Sequence, residues 1–175
     1  LEEEDKFEET DVNSEIFETE ISDVRIDNIL HIAQGETKEF KNKNVYINSY
    51  IKCEGNLIFD NCALNYNEPD TPDEITLDDG ASLIIINSKI ICKSIDETFF
   101  IQGGKNNEVI LQNCELHDCS YFINLKSSDK GNKLLIDNCK FYNPGEFFLK
   151  AGRIKDGYIT SVYFEFSKII KQKGP

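Results

Sequence analysis

Four eight-residue segments of this chain align without gaps and recur at an almost constant interval. They are LIFDNCAL at 57–64, LIIINSKI at 83–90, VILQNCEL at 109–116 and LLIDNCKF at 134–141, with spacings of 26, 26 and 25 residues. A degraded fifth copy, VYFEFSKI at 162–169, follows after 28 residues. A fixed period of this size is typical of solenoids, and the β-branched and aromatic content of each copy predicts strands rather than helices.

The columns of the alignment predict how each copy folds. Positions one and three are apolar in every copy, so they face one interior if side chains alternate along a strand. Position eight is apolar as well, and the shift from odd to even positions requires a bend between two short strands. Asparagine tolerates the left-handed backbone conformation that such a bend needs. The asparagines at the bend are Asn61, Asn87, Asn113 and Asn138.

A stacked asparagine at a two-strand bend, in coils of about 25 residues, resembles the pectin-lyase-like superfamily. The resemblance covers about residues 45–170 and implies an all-β fold, a right-handed parallel β-helix of about five rungs. It implies that the four asparagines form a hydrogen-bonded ladder along the axis. It also implies a stack of small core residues directly after the bend, namely Cys62, Ser88, Cys114 and Cys139.

The chain divides into four predicted parts. Residues 1–14 are an acidic leader that we expect to be disordered, 15–44 an N-terminal cap, 45–170 the β-helix and 171–175 a tail. A solenoid needs a cap over its end, but the spacing within 15–33 fits helix and strand equally. Of the net charge of −13, the first twenty residues carry −9. This predicts a solvated leader, or alternatively a tail that docks on a basic partner.

Composition excludes two classes of partner. The chain has no basic surface of the kind that nucleic-acid binding needs, and no apolar stretch approaches the ~18–20 residues of a membrane span. The chain begins at Leu1 and contains no Met, which indicates a processed or excised fragment. A secreted or cell-surface location is the favoured prediction.

Six cysteines would suggest a disulfide framework only in a secreted chain, and none of their spacings matches a paired C-x-x-C zinc site. Cys114 and Cys139 occupy the same column in adjacent rungs, about 4.8 Å apart with parallel Cβ vectors. That arrangement is unfavourable for an unstrained disulfide, so buried free thiols are favoured.

The catalytic motifs of the pectin-lyase-like enzymes are present in this sequence only in part. R-I-K at 153–155 matches the short basic motif of polygalacturonases, but the companion acidic pair and the G-H-G motif are absent. A pectate-lyase-like site needs Ca²⁺ ligands and a nearby basic residue. Asp70, Asp73 and Glu74 could supply oxygen ligands to Ca²⁺, although a solvated acidic loop is the favoured interpretation. No catalytic residue is predicted, and His117 is expected to be an ordinary surface residue.

Position two of the repeat should point outward and is nevertheless apolar in every copy. Its members form a predicted stripe of Ile58, Ile84, Ile110, Leu135 and Tyr163. A stripe of this length should not remain in water, so it predicts cover by the N-terminal segment, by a loop, or by another chain in an oligomer.

The favoured function is a non-enzymatic, surface-displayed binding or adhesion module that recognises a glycan or a protein. Its ligand contacts are expected in the loops after each third strand and on the adjacent sheet, because loops on a rigid scaffold carry function. Candidate contacts are Gln102, Asn124, Lys150, Arg153 and Lys155. The alternative is a polysaccharide lyase or hydrolase acting on an acidic polysaccharide. A third hypothesis is a self-assembling structural element that uses the apolar stripe.

Overall fold

A computed structural model describes residues 21–66, 75–92, 99–119, 122–126, 131–144, 149–151, 154–160 and 163–165. Every regular element in these ranges is a β-strand. The strands form three parallel sheets, which the chain visits in a repeating order.

Sheet 1 contains seven strands: β1 Ser22–Ile26, β4 Lys43–Ile47, β7 Ala63–Tyr66, β10 Lys89–Cys92, β13 Glu115–His117, β16 Lys140–Tyr142 and β19 Tyr163–Glu165. Sheet 2 contains six: β2 Leu30–Ile32, β5 Ile51–Cys53, β8 Ile75–Leu77, β11 Ile101–Gly103, β14 Ile123–Leu125 and β17 Leu149–Ala151. Sheet 3 contains six: β3 Thr37–Lys41, β6 Asn56–Asp60, β9 Ser82–Ile86, β12 Glu108–Gln112, β15 Asn132–Asp137 and β18 Ile154–Thr160.

One passage of the chain through the three sheets is one coil of a parallel β-solenoid, as the repeat predicts. Each sequence repeat begins on a strand of sheet 3 and ends on the next strand of sheet 1, so the four gapless copies lie in four successive coils. The bend between the two strands falls on the repeat asparagine. Asn61, Asn87, Asn113 and Asn138 have φ values of 52°, 52°, 55° and 49°, all in the left-handed region.

The inward columns of the repeat form the core. Leu57, Leu83, Val109 and Leu134 are in register on neighbouring strands of sheet 3 and are at most 4% exposed. Aromatic rings stack along the axis in the same way, with ring centroids of Phe40 and Phe59 5.2 Å apart and those of Phe100 and Phe122 5.7 Å apart. Parallel strands ~4.8 Å apart place like residues in contact, so each coil is stabilised mainly by its two neighbours.

The described part of the predicted cap continues the same sheets. Residues 22–44 contribute β1, β2, β3 and the start of β4. The apolar spacing within 15–33 fitted helix and strand equally, and its described part, 21–33, forms the two strands β1 and β2. KEFKNKNV at 38–45 is an earlier copy of the repeat, since Phe40 pairs in register with Phe59 and Asn42 has φ 54°. Residues 1–20, which include the predicted acidic leader, and the tail 171–175 lie outside the described residues.

The third strand of each coil is short, and Phe100 and Phe122 are buried just before β11 and β14. The expected register of the last repeat needs correction. Tyr158 pairs with Leu135 in sheet 3, whereas Tyr163 lies in sheet 1 opposite Lys140, so Tyr163 is not part of the apolar stripe.

Candidate binding site

The outward-facing residues of sheet 2 form a polar column that runs along the solenoid axis. Register places one residue from each coil in this column: His31, Lys52, Thr76, Gln102 and Asn124, with Lys150 placed as a backbone position next to Asn124. Three of the predicted ligand contacts, Gln102, Asn124 and Lys150, are therefore neighbours. Asn124 Nδ2 donates a hydrogen bond of 2.9 Å to Gln102 Oε1, which fixes both amide groups on the sheet.

An ion-pair network lies at the N-terminal end of this column. Lys52 Nζ contacts Glu54 Oε1 at 2.5 Å and Asp78 Oδ2 at 3.5 Å, and His31 Nε2 lies 3.1 Å from the same oxygen of Glu54. Hydrogen bonds from Lys52 and then from His31 lower the pKa of Glu54, and the bond to Glu54 raises the pKa of Lys52. The network therefore holds Glu54 in its carboxylate form at neutral pH.

An open cleft of about 680 Å³ lies beside this column, where the chain leaves the strands of sheet 2. Its lining includes Tyr50, Glu54, Asp78, Asp79, Gln102 and Lys126. Each side chain comes from a strand of sheet 2 or from the bend next to one. A parallel stack of strands positions such residues more rigidly than a free loop would, which favours a preformed site.

Two consecutive glycines, Gly103 and Gly104, also line the cleft. A Cβ atom at Gly104 would lie 2.5 Å from Oδ1 of Asp79 and 3.0 Å from the carbonyl oxygen of Leu77, so the position has no room for a side chain. Asp79 Oδ1 in turn accepts a 2.8 Å hydrogen bond from the backbone N–H of Lys105. The Asp79 carboxylate is thus anchored against the main chain of the next coil.

Two fully buried asparagines hold the bends that carry the cleft residues. Asn107 Nδ2 donates to the carbonyl oxygens of Asp78 at 2.7 Å and Ala81 at 3.1 Å. Asn132 Oδ1 accepts from the backbone N–H of Asn107 at 2.9 Å, and its Nδ2 donates to the carbonyl oxygen of Lys126 at 2.8 Å. The sequence carries a signal for this pair, because each asparagine stands two residues before position one of its repeat.

The predicted asparagine ladder is present but has two segments. Asn138 Nδ2 donates to Asn113 Oδ1 at 2.8 Å, and Asn113 Nδ2 donates to Asn87 Oδ1 at 3.0 Å. Asn87 Nδ2 then donates at 3.1 Å to Oδ1 of Asp60, the residue before Asn61. Asn61 Nδ2 begins the second segment with a 2.8 Å bond to Asn42 Oδ1. The sequence pattern does not include Asn42, because its copy of the repeat begins with a lysine.

The predicted core stack of Cys62, Ser88, Cys114 and Cys139 lies inside the solenoid, with each residue at most 4% exposed. Ser88 Oγ donates to the carbonyl oxygen of Ile86 at 2.6 Å and accepts from the Cys62 N–H at 3.0 Å. All six cysteines are buried free thiols. The residues of the core stack therefore pack inside the solenoid and form local hydrogen bonds.

The apolar stripe lies on the outer face of sheet 3. Ile58, Ile84, Ile110 and Leu135 are in register on four adjacent strands, and each is half-buried. Ile86 adjoins the stripe in the next outward column. His117 faces outward from sheet 1, where its ring stacks on Tyr142 at a centroid distance of 4.6 Å.

The remaining predicted residues contribute no described side chain. Arg153 and the candidate Ca²⁺ ligands Asp70, Asp73 and Glu74 lie outside the described residues, and Lys155 is placed only as a backbone position in β18. Within the described ranges, no group of three or more His, Cys, Asp or Glu residues could hold a metal ion. Those ranges also hold no helix long and apolar enough to cross a membrane.

The fold and the cleft define a parallel β-solenoid with a polar groove on one sheet. A scan against protein-family models and searches of curated proteins and of solved structures found no match to this chain.

Proposed function

We propose that this chain is a non-enzymatic binding module that recognises a glycan in the cleft on sheet 2. The observation that carries the proposal is the lining of the cleft, in which carboxylates, a fixed amide and a tyrosine face one open groove. A right-handed, pectin-lyase-like β-helix and display outside the cell are parts of the same proposal.

The residue types suit a sugar. Its hydroxyl groups both donate and accept hydrogen bonds, so they pair with the carboxylates of Asp78 and Asp79 as acceptors and with an amide such as Gln102 in either role. The Tyr50 ring offers an apolar surface with a polar edge, which can pack against the C–H face of a pyranose. Because the cleft residues sit on or beside strands, little order has to be gained when the ligand binds.

The electrostatics of the cleft support binding rather than glycoside hydrolysis. A general acid for hydrolysis is a carboxyl group whose pKa is raised, so that it holds a proton near neutral pH. Glu54 has the opposite environment, because Lys52 and His31 lower its pKa. Asp79 is anchored by the N–H of Lys105, and Arg25 lies on sheet 1, away from this groove.

The proposal is tested by glycan-array screening of the purified chain, followed by calorimetric titration with each hit. Gln102→Ala should weaken binding about tenfold, which corresponds to the loss of one well-placed hydrogen bond worth about 1.4 kcal/mol. Gln112→Ala is the matched control, because Gln112 is a half-buried glutamine on sheet 3 that bonds Asp137 at 3.2 Å.

Two results would overturn this function. One is the absence of any glycan hit with folded protein. The other is the release of unsaturated products or reducing ends from uronan, which would favour the lyase or hydrolase alternative.

The apolar stripe supports a second candidate function, self-association through sheet 3. Four half-buried aliphatic residues in register form a flat surface that another copy of the chain could cover. Light scattering should then show a dimer that Ile84→Lys converts to monomer. A monomer at all concentrations of the unchanged protein would refute this candidate.

A further inference from the structure

We infer that the glycan bound by this cleft is an uncharged linear oligosaccharide that lies parallel to the solenoid axis and crosses successive coils. The inference rests on the proposed function and specifies the class and orientation of its ligand. It excludes acidic polysaccharides as the preferred ligand.

The shape of the cleft sets the orientation. Five of its lining residues belong to five consecutive coils: Gln34 follows β2, Glu54 follows β5, Asp78 follows β8, Gly104 follows β11 and Lys126 follows β14. Four intervals at the parallel-strand spacing give a groove of about 19 Å. A groove of this length and openness fits several linked sugar units, with each coil presenting one position along the chain.

The charge of the cleft sets the ligand class. Three carboxylates, those of Glu54, Asp78 and Asp79, face the groove against the single ammonium group of Lys126. Lys52 at the edge pairs with both Glu54 and Asp78, which still leaves one carboxylate in excess. A uronate chain would bring further negative charge to this surface.

The carboxylates that repel a uronate interact favourably with the hydroxyl groups of an uncharged sugar. A carboxylate is an acceptor with lone pairs on both oxygens, and its hydrogen bonds with hydroxyl donors are charge-assisted and short. The acceptors are concentrated at Glu54, Asp78 and Asp79 in the second and third of these coils, while the Lys126 ammonium donates from the fifth. This unequal distribution gives an oligosaccharide one preferred direction along the groove.

The fourth coil contributes a glycine to the groove. Gly104 lies between Asp78 and Lys126 in the series of residues that follow the sheet 2 strands. A Cβ atom at this position would lie 2.5 Å from Oδ1 of Asp79, so the Asp79 carboxylate takes the place of a side chain here. Between the acceptor and donor ends, the groove is therefore lined by a carboxylate packed against the main chain of the next coil.

The test is calorimetric titration of the full chain with two matched series of oligosaccharides, each from the dimer to the hexamer. One series is neutral, taken from β-1,4-linked glucan, xylan and mannan, and the other is oligogalacturonate. The best neutral hexamer should bind at least tenfold more tightly than the uronate hexamer. Affinity for the neutral series should rise beyond the dimer, because each added unit reaches a further coil.

Charge-removing variants separate the electrostatic contribution from the shape. Asp78→Asn/Asp79→Asn retains similar volume and a carbonyl oxygen at each position but removes two charges, so the preference for neutral over uronate ligands should fall at least fivefold. Asp137→Asn, a half-buried carboxylate on sheet 3, is the matched control and should leave the preference unchanged. Circular dichroism and thermal melting verify that each variant is folded.

The outcomes distinguish the inference from the function on which it rests. Tighter binding of oligogalacturonate than of every neutral hexamer would overturn the ligand class while leaving a glycan-binding module. Equal affinity for dimer and hexamer would overturn the axial orientation. The absence of binding to either series by folded protein would overturn the proposed function, and the inference with it.

Discussion

The Sγ atoms of Cys92 and Cys119, on adjacent coils, lie 2.8 Å apart within the core. Burial, and then the hydrogen bond to Cys119, raises the pKa of Cys92 well above its ordinary value. Cys53 is similar, since desolvation raises its pKa to about 11. The thiolate is the reactive form, so these thiols should be inert in the folded protein.

We therefore expect that a disulfide reagent such as DTNB reacts with the folded chain only as fast as the solenoid opens, and with all six thiols in denaturant. The measurement is the absorbance of the released thiolate with and without guanidinium. Rapid stoichiometric labelling of Cys92, Cys119 or Cys53 in the native protein, mapped by mass spectrometry, would contradict the buried placement.

Asn113 combines a left-handed backbone with two ladder hydrogen bonds, so two variants can separate these contributions. Asn113→Ala should lower the free energy of unfolding by about 2–3 kcal/mol, from backbone strain of about 1–2 kcal/mol and the loss of exposed hydrogen bonds. Asn113→Gly removes the same bonds without the strain, so its cost should be smaller. Urea denaturation measures both, and a glycine variant less stable than the alanine variant would refute this explanation.

The buried amide of Asn107 should contribute more to stability than an exposed asparagine beside it. Asn107→Ala removes the amide hydrogen bonds to the carbonyl oxygens of Asp78 and Ala81, each of which keeps one backbone donor, so the loss should be about 1 kcal/mol for each bond. Asn106→Gly is the control, because Asn106 is exposed and its φ of 58° suits glycine. Because Asn107 holds the bend that carries Asp78, the alanine variant should also weaken glycan binding. Equal stability of the two variants would exclude a structural role for the Asn107 amide.

Two carboxylates predict acid sensitivity of the fold. Hydrogen bonds from Lys52 and His31 lower the pKa of Glu54 below its ordinary 4.5, and bonds from Lys41 and then Asn87 lower that of Asp60 below 3.8. A lowered folded-state pKa contributes stability that is present above the unfolded value and is lost as the pH falls through the folded value. Unfolding free energy should therefore fall as the pH drops below about 4.5.

The double variant Lys41→Met/Asp60→Asn removes one of these pairs and should have a shallower slope below pH 4 than the unchanged protein. Chemical denaturation at a series of pH values from 3 to 6 measures the slope. Identical slopes would show that Asp60 has the same pKa in the folded and unfolded chain.

The repeat predicts the core because equivalent positions of successive copies pack against each other in the structure. Inward residues such as Leu83 and Val109 contact their own equivalents in the next coil, so the same requirement recurs at a fixed interval. The copy of the repeat at 38–45 is not recognised from the sequence because Lys38 stands at position one, where the other copies have an apolar residue. Lys38 lies on β3, the strand at the N-terminal edge of sheet 3. There its ammonium group lies 5.3 Å from the centre of the Phe40 ring.

The last copy is aligned wrongly for a different reason. Without an asparagine to fix the bend, an alternating segment such as 159–166 fits several registers equally well. The pairing that forms includes a register shift between Asn132 and Lys133, where β18 contributes one residue more than β15, and the sequence pattern does not reveal this shift.

The cleft was less predictable than the core. Glu54, Asp78, Gly104 and Lys126 follow strands of sheet 2, but loops of unequal length separate them, so their spacings are 24, 26 and 22 residues. Asp78, Gly104 and Lys126 also differ chemically, so no column of like residues marks the site. Gln102 and Asn124, predicted as ligand contacts from the sequence, lie on β11 and β14, and their role as ligand contacts stays a prediction.

Because the coils stack at a constant spacing, the length of the groove is proportional to the number of coils that line it. Each coil adds about 4.8 Å of length and one lining position. Duplicating the segment from one repeat to the next would lengthen the groove by one such step without disturbing the existing contacts, since each coil packs mainly on its neighbours. If the cleft binds an oligosaccharide as proposed, a series of chains with one coil more or fewer should bind oligosaccharides that are longer or shorter in equal steps.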